Sequence, residues 1–111
     1  MTPGNVEFAQ VLASMTVNTG GVAAILYADR CRLFGPARPT TTWLPSTREA
    51  AVLGAFLFGW LYGAPALIIH FVKSRWSPAG AILGVLCAVD LVAADVGAQL
   101  GTAAAIGWLG L

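Results

Sequence analysis

Asp90 and Asp95 interrupt the most apolar stretch of this 111-residue chain, and His70 closes another. These are the side chains whose chemistry demands an account. A carboxylate in apolar surroundings must take a proton, pair with a cation, face a wet cavity or accept several hydrogen bonds. A helix starting near Pro78 carries Asp90 about 18 Å and Asp95 about 26 Å from its beginning. Five residues apart, the two acids point about 140° away from each other. That spacing excludes a shared-proton dyad and a metal gripped by both from one helix.

Asp90 shares a face with Ala93, Ala94, Gly97 and Gly101, which predicts a helix contact near the bilayer midplane. Asp95, Gln99 and Thr102 form a second stripe, with Asp95 expected to pair with Arg30, Arg32 or Arg48 at a membrane surface. In the N-terminal segment Glu7, Gln10, Ser14, Asn18 and Gly21 fall on one helical face. His70 could ligate a haem only with a second copy's histidine. The expectation is an interfacial hydrogen bond to the N-terminal helix, where Glu7 lies at the same membrane face.

Small residues recur at helix-contact spacing: Ala55, Gly59 and Gly63; Gly80, Gly84 and Ala88; Ala93, Gly97 and Gly101. Such rows let helix backbones approach closely, which is how helices associate in lipid. The chain contains no phosphate-cradling glycine pattern, no Cys/His metal spacing and no nucleophile elbow. Neither an enzyme nor a cofactor or metal site is expected.

The elements that must position these groups follow from composition. The chain is 58% hydrophobic and 10% charged, with net charge +1 and mean hydropathy +0.77. Soluble domains carry about 25% charged residues. This balance excludes a disordered tail, a disulfide scaffold and a basic nucleic-acid binder. Cys31 and Cys87 are expected as two unpaired thiols. No Lys or Arg precedes Arg30, so residues 1–29 read as mature chain and not as a secretory signal.

Three membrane spans are predicted, near 8–28, 50–72 and 78–99, making an all-α bundle of one domain. The first is the least apolar and competes with an interfacial helix, but its polar face lacks the Lys and Arg such helices use. The second has the capping-box spacing of Ser46 and Glu49 at its start and a kink expected at Pro65. Ser77 and Pro78 start the third, and the chain beyond 99 either extends it or lies along the interface. Residues 29–49 form a polar loop punctuated by Pro36, Pro39 and Pro45.

Three spans place that loop and the Lys73–Trp76 turn on opposite sides. Arg30, Arg32, Arg38 and Arg48 then outvote Lys73 and Arg75, putting the N-terminus outside and the C-terminus in the cytoplasm. Trp43, Trp76 and Trp108 fall at expected boundaries. The expected function is an accessory or assembly subunit of a membrane complex, packing through its small-residue faces on partner helices or its own copies. A homo-oligomeric proton or cation channel using Asp90 is the second expectation.

Overall fold

A computed structural model describes residues 3–36 and 48–110. Among these residues the chain is entirely helical: α1 (Pro3–Arg30), α2 (Arg48–Phe58), α3 (Trp60–Arg75) and α4 (Pro78–Leu109). Arg38, Pro39, Trp43, Pro45 and Ser46, which the sequence reading used, lie outside the described residues.

Two helices are long and apolar enough to cross a bilayer, Gly4–Arg30 and Pro78–Leu109. The expected second span, 50–72, is not one helix. The 11 residues of α2 and 16 of α3 give helices of about 16 and 24 Å, each short of a hydrocarbon core. Gly59 separates them with φ 64° and ψ −144°, close to backbone space that only glycine occupies freely. The chain therefore reverses at Gly59, and α3 runs through Pro65 as helix.

The reversal can be read from side-chain distances. A Cβ on Gly54 would fall 2.2 Å from the Tyr62 ring, and one on Gly63 would touch Ala55 at 3.4 Å. Residues eight apart in a continuous helix are separated by about 12 Å. The pair α2–α3 is thus a helical hairpin, with Arg48 and Arg75 at one end and Gly59 at its tip.

Around the hairpin, α1 and α4 run antiparallel, with Gln10 meeting Gln99 and Ser14 meeting Asp95. α4 also runs antiparallel to α3, where Gly84 lies against Ile68 and Gly80 against Phe71. The start of α1 and the end of α4 therefore lie at one end. Arg30, Arg32, Arg48, Lys73 and Arg75 gather at the other. This corrects the expectation that the loop and the Lys73–Trp76 turn lie on opposite sides, because a hairpin returns the chain where a span would carry it across.

The core is built where all four helices meet: Val22 and Leu26, Ala51 and Ala55, Leu67 and Phe71, Cys87 and Leu91. Close approach is permitted by glycine. A Cβ on Gly80 would sit 2.6 Å from the Phe71 carbonyl oxygen, and one on Gly84 2.9 Å from Ile68 Cα. α4 starts with Pro78 in its first turn and Ser77 as N-cap, whose Oγ accepts from Gly80 N–H at 3.3 Å. It continues to Leu109 as one helix of about 48 Å, so the C-terminal stretch extends the helix. The described residues measure 50 × 22 × 20 Å.

Candidate functional site

Asp95 lies at the centre of a buried polar cluster. It is 3% exposed, on the face of α4 that also carries Gly84, Cys87, Ala88 and Leu91. The Ser14 hydroxyl donates to its Oδ1, and Asn18 Nδ2 donates to the same oxygen at 3.0 Å. Gln99 Nε2, one helical turn away, donates to Oδ2 at 3.0 Å. Gln10 Nε2 then ties α1 to the Gln99 carbonyl oxygen at 3.1 Å.

Asn18 is 0% exposed, and its Nδ2 also donates to the Ser14 carbonyl oxygen at 2.8 Å. Its Oδ1 is buried without a partner, as is the neighbouring Thr19 Oγ1. The hairpin tip faces this amide: a Cβ on Gly59 would lie 3.7 Å from Asn18 Nδ2. Two helices, α1 and α4, therefore converge on one carboxylate, and the hairpin tip packs against the Asn18 amide that donates to it.

The pairing of Asp95 with Arg30, Arg32 or Arg48 does not occur. The arginines collect at the end of the bundle, and Asp95 lies about 26 Å along α4 from Pro78, deep between helices. Asp29 takes the basic partners instead. Its Oδ1 accepts from Arg75 Nη2 at 2.6 Å, and its Oδ2 lies 2.6 Å from His70 Nε2. Arg75 also stacks over Phe71, 5.0 Å from the ring centroid, and donates to Ser74 Oγ at 2.8 Å. His70 thus bonds the N-terminal helix through Asp29 at its C-terminal end. Glu7 belongs to the opposite end.

Asp90 is not at a contact within this chain. It is exposed and has no hydrogen bond or ion pair among the described residues. Ala93, Ala94, Gly97 and Gly101 on the same face are exposed too, and a Cβ on either glycine would meet nothing within 4 Å. Gly63, Gly80 and Gly84, by contrast, are spent inside the fold. A Cβ on Gly63 would approach Val22 to 2.9 Å and Leu91 to 3.1 Å. Cys31 is exposed and Cys87 buried, both as free thiols. No group of three metal-ligating side chains occurs among the described residues.

Asp29 and the meeting of Ser14 with Asp95 are absent from the sequence reading. The second left a signal: α1 carries Gln10, Ser14 and Asn18 at intervals of four, and α4 carries Asp95 and Gln99 at the same interval. Two polar stripes of equal pitch on otherwise apolar helices have each other as the natural partner. Comparison with protein-family models, curated proteins and solved structures finds no match to this chain.

Proposed function

We propose that this chain is an integral membrane protein of two spans and a re-entrant hairpin, serving as an assembly subunit of a membrane complex. Its α4 outer face would pack on helices of other chains. One observation carries this reading: among the described residues Asp90 has no hydrogen-bond or ion-pair partner, on an exposed face where a Cβ on Gly97 or Gly101 would meet nothing within 4 Å. Facing lipid near a bilayer centre, an ionised aspartate costs about 2.5–3.5 kcal/mol. A neighbouring helix supplying a donor relieves that cost, and Gly97 and Gly101 let its backbone come close. The re-entrant α2–α3 pair is compatible with lipid because protein surrounds its broken backbone. The gathering of the described Lys and Arg at one end favours a cytoplasmic location for that end, with both termini across the membrane.

The test is assembly in gentle detergent. Gly97→Leu and Gly101→Leu are expected to reduce the complex to free chains, and Gly20→Leu on another exposed face to leave it intact. Assembly unchanged by both α4 substitutions would refute the reading. The exposure of Asp90 also favours a second reading, an oligomeric proton or cation conductor with Asp90 at the seam. Asp90→Asn separates the two, because it abolishes flux in proteoliposomes under the second and spares assembly under the first.

A further inference from the structure

We propose that Asp95, held by Ser14, Asn18 and Gln99 beneath the hairpin tip, is a proton-binding site that the bundle satisfies in both protonation states. In the charged state Oδ1 and Oδ2 together accept from three side chains, all neutral. No Lys, Arg or His of the described chain contacts the carboxylate to balance it, so a proton is the neutralising partner within reach of this arrangement.

The neutral state is equally provided for. Binding H⁺ converts the carboxylate to a carboxylic acid, with one O–H bond formed and none broken. The new O–H needs an acceptor, and the Ser14 hydroxyl can become one. Ser14 does so by turning its hydroxyl hydrogen toward the preceding turn of α1. Asn18 stays a donor, because its Nδ2 is also held by the Ser14 carbonyl oxygen at 2.8 Å. A metal cation would be served worse, because the amide hydrogens of Asn18 and Gln99 point at the oxygens it would need.

The other groups around Asp95 do not compete for this role. On α1, Glu7 lies one turn beyond Gln10 and is exposed. On the hairpin, the nearest titratable side chain is Tyr62, whose ring lies over Gly54. On α4, Asp90 is turned outward. Asp29, His70 and Arg75 form their own cluster at the opposite end of α3.

The experiment is a pH titration of the full chain in lipid, with ¹³C-labelled aspartate and ¹⁵N-labelled asparagine followed by solid-state NMR. The Asp95 carboxyl signal, assigned by its loss in Asp95→Asn and its persistence in Asp90→Asn, is expected to change with pH. The Asn18 side-chain NH₂ signals are expected to move with the same midpoint, and neither to shift when choline replaces Na⁺. Asp95→Asn keeps the size of the group, and the wild-type titration alone is decisive if that variant fails to fold. An Asp95 signal fixed across the range, or an Asn18 amide indifferent to it, overturns the proposal. A midpoint that depends on Na⁺ overturns it in favour of a cation site.

Discussion

Replacing Gly59 by alanine separates the hairpin from a continuous helix by the sign of its effect. In the hairpin Gly59 holds φ 64° and ψ −144°, a conformation that costs a residue bearing Cβ about 1–3 kcal/mol. No clash adds to this, because the new Cβ would sit 3.7 Å from Asn18 Nδ2, an ordinary contact. Were residues 48–75 one helix, alanine would instead stabilise it by about 1 kcal/mol through propensity. Cys87, 9% exposed in the core, reports the difference through its alkylation in micelles under reversible opening. A loss of 1–3 kcal/mol raises the open population, and with it the labelling rate, roughly 5- to 150-fold. Cysteines placed at Glu49 and Lys73 complete the assay and are expected to label from the same side of a vesicle. Slower Cys87 labelling in Gly59→Ala, or labelling of the two positions from opposite sides, would refute the hairpin.

Three further outcomes follow from the same contacts. Gly84→Ala drives its Cβ to 2.9 Å from Ile68 Cα and is expected to cost about 1–3 kcal/mol in thermal unfolding, whereas Gly101→Ala, with open space around it, leaves the monomer's stability unchanged or raised. Asp29→Ala strips the buried Arg75 guanidinium of its carboxylate and is expected to cost about 3–5 kcal/mol, measured by denaturant titration, with Glu7→Ala near zero. In the native protein, maleimide is expected to modify Cys31 at once and Cys87 only on unfolding, followed by mass spectrometry.

Helix formation was legible in the sequence because long apolar runs dictate it wherever water is scarce. Ser77 and Pro78 announced the start of α4. The hairpin was not legible, because hydropathy over 50–72 is blind to direction. Twenty-three apolar residues satisfy a span and a returning pair of short helices equally well. The decisive residue, Gly59, reads as one member of a small-residue row beside Ala55 and Gly63. Pro65 attracted the expected kink, yet α3 absorbs it within its helical run. The positions of the two α4 acids were interchanged for a related reason. Their divergence of about 140° was correct, but periodicity cannot say which face meets the other helices. The deep core residues Leu91 and Cys87 flank the Asp95 face, and that fixes the choice.

The depth of the polar cluster follows from helix lengths alone. α3 and α4 leave the same turn, at Arg75 and Pro78. The 16 residues of α3 carry the hairpin tip about 24 Å from that turn, and Asp95 is the residue α4 brings to about 26 Å. A helix that stops at this depth leaves its first N–H groups outside its own hydrogen-bond ladder. Tyr62 and Gly63 both donate to the Gly59 carbonyl oxygen, at 3.2 and 2.9 Å, so the N–H groups of Trp60 and Leu61 precede the ladder's first bonds. In lipid such a terminus would be prohibitive, and here it packs against Asn18, the residue whose amide donates to Asp95. The break in the chain and the buried carboxylate therefore meet through one amide, that of Asn18.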